Sequence, residues 1–525
     1  MAVSFHVENF GCRAARADGE AVSSRLHAEG LCTEDFSAAD VVVVNTCSVT
    51  AEADRSARAF IRRIHRLNPE AKIVVTGCYA QRAPEELSGL SGVSAVIGNS
   101  HKALAPEIIA GLVQYPDGVA LKGHDFSRAT NGSIETRALA PEEDASGFKT
   151  DLLPAPAPPP QFIPVQSLSP IWADDRFAHS FLEEAQITPG AQTRPNLKIQ
   201  EGCGNRCTFC VIPATRGPSK SLPTAAVLRQ VEGFVAAGGK ELVLSGINLG
   251  RWGRDFSGAE AVAKLTLARL LHTIFKQTEL PRLRLSSIEP MDWDVELFAI
   301  MAEYGGNRLA RHAHLPLQSG SDAVLRRMHR RYRPWHYAEK VAALLKAAGP
   351  ELTLGADVMV GFPGESTAEF EETVSLIQTL PFGYLHLFPF SPRPGTPGWT
   401  MHAEQPVPRQ VIEERMAALR LLASEKTEAH RQRFIGRELE AIVLHTPAEL
   451  AARGRSAALT ENFLPVVLVG GLEANQLVRM RVSGLDAEGT LQAVALPSQA
   501  APRMKAITPP GPPDTAPACR QDTYT

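Results

Sequence analysis

The chain has 525 residues, of which 44% are hydrophobic and 21% are charged, and its formal net charge is −3. This length and apolar content predict two to four domains with buried cores. The near-neutral charge excludes a globally basic nucleic-acid-binding protein, so any contact with nucleic acid must come from a local patch.

Targeting and membrane segments are not predicted. The amino terminus MAVSFHVENFGC lacks a basic stretch followed by an apolar one, and no run approaches the roughly 18 apolar residues of a membrane span. We therefore expect a cytoplasmic protein without membrane contact. In a reducing cytosol, the eight cysteines are better interpreted as ligands or free thiols than as disulfides.

Residues 1–114 alternate short apolar runs with helical stretches, which predicts a parallel sheet covered by helices. A helix is predicted over residues 51–67, where apolar positions recur with helical periodicity. The predicted strands are residues 3–8, 40–45, 72–76 and 93–97.

Three cysteines follow strands of this predicted sheet: Cys12 in FGC, Cys47 in NTC and Cys78 in TGC. Ligands bind beyond the carboxyl ends of parallel strands, so these thiols should converge there. The alternative interpretation is three ordinary buried thiols. Cys32 and Cys519 follow no such pattern and are not assigned to a site.

Residues 115–192 and 499–525 are predicted to be a Pro-rich linker or insertion and a disordered tail. The first contains DLLPAPAPPP and the second begins near a TPPGPP run. Such compositions bury too little apolar surface to offset chain entropy. A lid over an active site is the alternative for the insertion.

A second cysteine group, Cys203, Cys207 and Cys210, has the spacing C-x3-C-x2-C. Three thiolates suit a [4Fe–4S] cluster, in which one iron then stays open for a further ligand. A structural zinc site is the alternative, but zinc commonly takes four ligands from repeated C-x2-C pairs, and no second pair lies nearby.

Residues 193–407 resume the alternation of strands and helices, which predicts a partial (β/α)6 barrel with its chemistry at the carboxyl ends of the strands. Gly-rich and polar turns follow these strands, among them SGIN, SSIEP, LQSGSD and GFPGE. The predicted strands are residues 197–200, 241–245, 282–286, 312–315, 353–360 and 384–388.

The remaining segments are a basic run, a helix and a small β-barrel. The run RRMHRRYRPWH at residues 326–336 interleaves cations with rings, which suits RNA with exposed bases, although a solvated helix face is the usual explanation. A long connecting helix is predicted at 408–434. Residues 435–498 are predicted to form a barrel with strands at 439–444, 464–469, 477–482 and 490–496.

The cysteine triplet, with Phe209 before its last member, resembles the radical S-adenosylmethionine (SAM) enzymes. Together with the amino-terminal cysteines, HLPLQSGSD and FPFSPRPGTP, it resembles the radical SAM methylthiotransferases, whose terminal barrel is a TRAM domain. The resemblance implies two [4Fe–4S] clusters, one on Cys203, Cys207 and Cys210 and an auxiliary one on Cys12, Cys47 and Cys78. In many members an Asn stands where this chain has Ala15.

The resemblance also implies SAM-binding and substrate-binding positions. GGKE resembles a glycine element that approaches the SAM amino group, and GFPGE resembles an adenine-side loop. The implied cofactor-binding residues are Phe209, Gly238, Gly239, Glu241, Ser245, Gln318, Gly361 and Pro363. The implied substrate-binding residues are Glu289, Arg330, Arg331 and Tyr332.

The implied activity is transfer of a methylthio group to carbon two of threonylcarbamoyladenosine beside the tRNA anticodon, since SSIEP and LTENF resemble that branch. The implied partners are tRNA, SAM and an external, flavodoxin-like one-electron donor. The enzyme itself is expected to be a monomer. The alternatives are an isopentenyladenosine or ribosomal-protein methylthiotransferase and a radical SAM methylase with a single cluster. A non-catalytic iron–sulfur regulator that binds RNA is a further alternative of a different class.

Overall fold

A computed structural model describes residues 3–114, 169–177, 192–258 and 264–497, together with positions 182, 187 and 189. The predicted tail at 499–525, Cys519 and most of the predicted linker lie outside these residues.

The amino-terminal unit is a six-stranded parallel sheet with the strand order β2-β1-β3-β4-β5-β6. Its central strand is buried along its whole length because helices cover both faces of a parallel sheet. The strands are β1 (Ser4–Asn9), β2 (Cys32–Thr33), β3 (Val41–Thr46), β4 (Lys72–Gly77), β5 (Val93–Gly98) and β6 (Ile171–Trp172). The helices are α1 (Arg13–Ala28), α2 (Ala51–Leu67), α3 (Cys78–Arg82), α4 (Pro84–Ser88) and α5 (Ala105–Gln114), the last preceded by a 3₁₀ turn at Asn99–Leu104.

Part of the predicted linker belongs to this sheet, which corrects the expectation that residues 115–192 contain nothing regular. Strand β6 pairs with β5, and the Ser169 hydroxyl donates to the Val93 carbonyl at 2.5 Å. A strand of two residues is too short to produce a visible apolar alternation, and for this reason the sequence did not reveal it.

The central unit contains the predicted six parallel barrel strands, in two sheets. The first sheet has the order β10-β9-β7-β8 and the second the order β11-β12-β13, and among the described strands of these two sheets only the short β8 is antiparallel. The strands are β7 (Asn196–Glu201), β8 (Lys220–Ser221), β9 (Glu241–Gly246), β10 (Arg282–Leu285), β11 (His312–His314), β12 (Thr353–Val360) and β13 (Phe382–Pro389). The helices are α6 (Ile212–Arg216), α7 (Thr224–Ala236), α8 (Leu267–Gln277), α9 (Val295–Tyr304), α10 (Asp322–Arg327), α11 (Pro334–Ala348), α12 (Thr367–Thr379) and α13 (Pro397–Glu404).

A long helix, α14 (Arg409–Gln432), leads into a closed five-stranded barrel, which confirms the predicted fold class. One of its strands, β15, was not predicted. Its sequence RSAALT is rich in alanine, a weak strand former, and only its burial between two neighbours holds it in the barrel. The strands are β14 (Glu438–Val443), β15 (Arg455–Thr460), β16 (Pro465–Val469), β17 (Leu477–Leu485) and β18 (Leu491–Ala495), with the short helix α15 at Ala448–Ala451.

The closed barrel packs against the amino ends of the central strands. Arg282 at the start of β10 forms an ion pair with Glu440, and Arg311, just before β11, is paired with Glu461 at 2.6 Å. The carboxyl ends of the central strands are thereby left to face the amino-terminal sheet. Within the described part of the chain, none of the helices has the length and apolar character needed to cross a membrane.

Candidate active site between the two cysteine groups

The three amino-terminal cysteines lie at the carboxyl ends of neighbouring strands. Cys12 directly precedes α1, Cys47 follows β3, and Cys78 begins α3 after β4. Gly11 has a φ of +117°, and a Cβ at this glycine would lie 2.4 Å from Cys47 Cβ and 2.8 Å from its sulfur. The turn before Cys12 therefore runs directly over Cys47, and only glycine fits there.

The pKa of Cys47 reflects its burial and its two neighbouring thiols. Burial and, as like charges, the neighbouring Cys78 and Cys12 together raise the pKa of the Cys47 thiol to about 12. Such a group cannot hold several thiolates unless a cation lies among them. This donor set fits an iron–sulfur cluster, in which iron supplies that charge.

The barrel-side cysteines follow β7 at the same end of the barrel. The backbone N–H of Asn205 lies 3.4 Å from Cys203 Sγ, and the Asn248 amide nitrogen lies 3.6 Å from the same sulfur. Arg330 donates to Cys207 Sγ at 3.4 Å. Burial and, as like charges, Cys207 and Cys203 together raise the pKa of the Cys210 thiol to about 12. This trio also fits a cluster with three thiolate ligands.

Arg216 connects the two cysteine groups across the domain interface. It ends α6, the short helix that follows Cys210, and its Nε donates to Cys78 Sγ at 3.2 Å. Asn99 adds a second link, because its amide donates to the Thr215 carbonyl at 2.8 Å and lies 3.5 Å from Cys78 Sγ. The backbone of one cysteine loop is thus tied to a thiol of the other group.

Arg216 belongs to a fully buried cluster of charges. Its Nη1 donates to Glu201 at 2.7 Å and to Asp18 at 3.1 Å. Lys102 and Lys198 are also paired with Asp18. These side chains place three cations against two carboxylates, and the surplus positive charge lies beside Cys78. An anionic ligand set at Cys78 balances it.

A mainly apolar cavity of about 310 Å³ opens beside Cys210. Its apolar wall includes Phe209, Met359 and Phe388, and Gln318 and Asp357 contribute polar groups. The wall also includes Val49 and Thr50, which follow Cys47 in the amino-terminal unit. The cavity is therefore built from both units: it contacts Cys210 of one cysteine group and the segment that follows Cys47 of the other.

Gly238, Gly239 and Glu241 do not lie at this site, which corrects their assignment to cofactor binding. They stand at the amino end of β9, whereas the cysteines follow the carboxyl end of the parallel strand β7. Glu241 is fully buried and paired with Arg284 at 2.9 Å, and the Gly238 carbonyl accepts a hydrogen bond from Asn475 of the closed barrel. The Gly238 carbonyl and Arg284, which donates to the Thr460 carbonyl at 3.1 Å, thus connect the central barrel to the closed barrel.

The basic run also differs from its expected role. Arg330 is buried, binds Glu289 at 2.5 Å, and so lies under the cysteine loop rather than on the surface. Tyr332 is buried, and its hydroxyl donates to the Pro316 and Leu317 carbonyls, so its ring cannot stack on a base. Arg331 and Trp335 are exposed.

The other predicted positions lie at the carboxyl ends of the barrel strands. Gln318 has a φ of +62° and lines the cavity. The Ser245 hydroxyl is bonded to the Leu197 carbonyl at 3.4 Å, which is a contact within the sheet. Gly361 and Pro363 form a buried turn after β12, where a Cβ on Gly361 would lie 2.6 Å from Ile412 of α14. Their role toward a cofactor stays a prediction.

Sequence reasoning missed Arg216, Asn99 and Asp18, and it quoted Asn248 only as part of SGIN. Arg216 lies six residues after Cys210, and this proximity was the only signal in the sequence. Asp18 and Asn99 come from a helix and a 3₁₀ turn that only the packing brings to the cysteines.

Comparison with known proteins gives matches over both units. Residues 4–98 match the uncharacterized protein family UPF0004, and residues 197–377 match the Radical SAM superfamily. The threonylcarbamoyladenosine tRNA methylthiotransferase MtaB of Bacillus subtilis (strain 168) is 33% identical over 89% of this chain and 90% of its own length. Its counterpart in Treponema pallidum (strain Nichols) is 34% identical, over 91% and 98%.

A relative of a second kind also matches. The tRNA-2-methylthio-N(6)-dimethylallyladenosine synthase of Erythrobacter litoralis (strain HTCC2594) is 32% identical over 84% of this chain and 87% of its own length. Because these identities extend over most of this chain and of each relative, and the two family matches include both cysteine groups, the chain is an enzyme that belongs to the radical SAM methylthiotransferase family.

Proposed function

We propose that this enzyme transfers a methylthio group to carbon two of threonylcarbamoyladenosine in tRNA. The MtaB relatives support this substrate. The observation that carries the chemistry is the 3.2 Å contact between Arg216 Nε and Cys78 Sγ, since it joins the two groups of thiols that the reaction needs side by side.

Cys203, Cys207 and Cys210 would hold the cluster that works with SAM, and Cys12, Cys47 and Cys78 would hold an auxiliary [4Fe–4S] cluster. When bound, these groups supply the one-electron cleavage of SAM and the sulfur that is transferred. An external flavodoxin-like donor would provide the electron, and one chain would suffice because a single chain contributes both groups.

The protein itself positions the reacting groups and excludes water from the site of reaction. Asn248 and Arg330 point hydrogen-bond donors at the sulfurs of Cys203 and Cys207, which stabilises their thiolates. The apolar cavity wall keeps water from a reactive carbon. Exposed Arg331 and Trp335 would contact the RNA backbone and an unstacked base outside the cavity.

Nucleoside mass spectrometry of tRNA from a strain without this gene tests the proposal. We expect loss of the methylthio group from threonylcarbamoyladenosine alone, and its return when the gene is restored. Unchanged tRNA nucleosides would contradict a tRNA substrate and would direct attention to ribosomal protein.

The isopentenyl-type substrate is the second candidate, and the Erythrobacter relative favours it. Loss of the methylthio group from isopentenyladenosine in the same measurement would select it.

Anaerobic incubation with SAM and dithionite distinguishes the proposed enzyme from a non-catalytic iron–sulfur regulator, because a regulator would release no 5′-deoxyadenosine. A methylase with one cluster would contain about four iron atoms instead of about eight.

A further inference from the structure

A polar cluster of three side chains lies on the inner face of strands β11, β12 and β13. Asp357 Oδ1 is 3.3 Å from His314 Nε2 and 3.3 Å from His386 Nδ1. The other nitrogen of the His314 ring is 3.1 Å from the Ser287 hydroxyl, which fixes its orientation. The chemistry proposed above does not use this cluster.

The alternation of β13 shows that the cluster faces the barrel interior. Successive side chains of a strand point to opposite faces, so Tyr384, His386 and Phe388 share one face. Phe388 lines the cavity, and the Tyr384 hydroxyl is 2.8 Å from His312 on β11. His386 therefore lies two residues before Phe388 on the same face of β13, on the side of the cavity away from the carboxyl ends of the strands.

The cavity is thus apolar beside Cys210 and polar at its far side. Asp357 and Gln318 line it, and the buried Gln318 Oε1 has no hydrogen-bond partner among the described residues. His386 is 59% exposed, so its Nε2 is accessible to a ligand. Burial opposes ionisation of Asp357, but the two imidazoles hold its pKa well below the usual range, so the cluster contains a carboxylate between two potential cations.

We propose that His314, Asp357 and His386 form the subsite for the threonylcarbamoyl arm of the substrate, with His386 binding its carboxylate. This inference rests on the function proposed above. In adenine, carbon two and the amino group that carries the arm lie on either side of N1. With carbon two beside the cysteines, the arm extends into the polar side of the cavity.

The chemistry of the arm matches these groups. The His386 ring donates from Nε2 to the carboxylate when both of its nitrogens carry a proton, and Asp357 and Gln318 accept from the hydroxyl and the amide N–H. An isopentenyl arm offers none of these partners and would leave the buried Gln318 Oε1 unsatisfied, which disfavours it. The subsite thus discriminates between the two tRNA substrates considered above.

The test compares the reconstituted wild-type enzyme with His386→Asn on tRNA that carries threonylcarbamoyladenosine. Loss of one charge-assisted hydrogen bond should raise KM roughly tenfold to a hundredfold. Iron content and 5′-deoxyadenosine release in the absence of tRNA should stay at the wild-type level. His272→Asn, which changes an exposed histidine on the outer helix α8, is the matched control and should leave KM unchanged.

A second substrate keeps the test decisive if the variant is impaired for other reasons. An anticodon stem-loop with the threonyl carboxylate converted to its methyl ester should lower wild-type kcat/KM to the His386→Asn level. The ester should not weaken the variant further. Equal sensitivity of both enzymes to the ester would overturn the subsite.

Two other results would also overturn it. One is an unchanged KM in His386→Asn; the other is about one additional metal ion per chain that disappears in the variant, since the three ligand atoms would then hold a metal. Failure of the proposed function gives a different result, because wild-type enzyme would then leave threonylcarbamoyladenosine tRNA unmodified, whichever residue stands at position 386.

Discussion

Arg216 is the residue on which the arrangement of the two cysteine groups depends most. It is fully buried. Its guanidinium binds the Cys78 thiol of the amino-terminal group, and it lies six residues after Cys210, the last cysteine of the barrel-side group. Burial opposes its charge, but Cys78, Glu201 and Asp18 together raise the pKa of Arg216 well above its usual value. A permanently charged, branched donor is needed to reach all three.

Replacing this residue tests that role. Arg216→Gln leaves Asp18 and Glu201 with fewer partners, and removing one partner of a buried ion pair costs roughly 3–5 kcal/mol. We expect a lower Tm by calorimetry and weaker retention of iron at the amino-terminal cysteines during gel filtration.

Arg409→Gln is the control, because Arg409 forms an exposed pair with Glu413 on α14, and it should keep wild-type Tm and iron content. Equal iron retention in Arg216→Gln and wild type would contradict the assigned role.

The amino-terminal thiols give a separate prediction at the same scale. Cys47→Ser should lower iron from about eight to about four atoms per chain, because one ligand trio is lost and the other is intact. Release of 5′-deoxyadenosine should continue while the methylthio product disappears. Cys32→Ser changes a cysteine in the edge strand β2 and should behave as wild type. Loss of all iron in Cys47→Ser would show that the two sites are not independent.

At the scale of elements, the turns after β1 and β4 bring the thiols together. Gly11 and Gly77 have φ values of +117° and +99°, and a Cβ on Gly77 would lie 2.2 Å from the Thr46 carbonyl oxygen. Strand ends in a parallel sheet are neighbours, but the side chains converge only because these turns are tight. The glycines therefore position the site.

Gly11→Ala tests this point. The new Cβ would displace Cys47, so we expect reduced iron loading at the amino-terminal group, measured by iron analysis after reconstitution. Gly30→Ala is a matched control, since Gly30 also has a positive φ, +86°, but a Cβ there would meet none of the described residues within 4 Å. Both variants should lose stability from backbone strain, and only Gly11→Ala should lose iron. Equal loss in both would attribute the effect to strain alone.

At the scale of the whole molecule, the central barrel is held from both ends. The amino-terminal sheet packs on the carboxyl ends of its strands, and the closed barrel is bound at the amino ends through Arg282, Arg284 and Arg311. Glu241 is paired with the buried Arg282 and Arg284 and with the partly exposed Arg194, so one carboxylate compensates three cations where the two barrels meet. The closed barrel is thereby kept away from the cysteine end.

The ion pairs of Glu241 predict that the stability of the folded protein depends on pH. Burial opposes ionisation of Glu241, but its arginine partners lower its pKa below the ordinary 4.5. Its stabilising contribution is therefore complete above pH 4.5 and is lost as the pH falls below that value toward the folded-state pKa. Thermal unfolding between neutral pH and about pH 3 should show this component in wild type and not in Glu241→Gln.

Glu404→Gln, which changes an exposed carboxylate on α13, should keep the wild-type profile. A Glu241→Gln profile parallel to that of wild type over the whole range would refute the contribution.

Much of the architecture and the six cysteines could be predicted from the chain alone. Strands and helices leave local periodicities, so β4 was predicted to within one residue and α2 with the same bounds that it has in the structure. Cysteines that follow strand ends inherit their positions from the sheet, and the C-x3-C-x2-C spacing is itself local. These features depend on nearest neighbours in sequence, which is why composition, alternation and spacing determined them.

Only the tertiary structure decided what the side chains of each motif contact. GGKE and SGIN flank the same strand, β9, yet one contacts the closed barrel and the other the cysteines. Tyr332 belongs to a basic run but is buried, and Arg216 reaches a thiol 138 residues away. Such contacts arise from packing between distant segments, and no local pattern in the sequence records them.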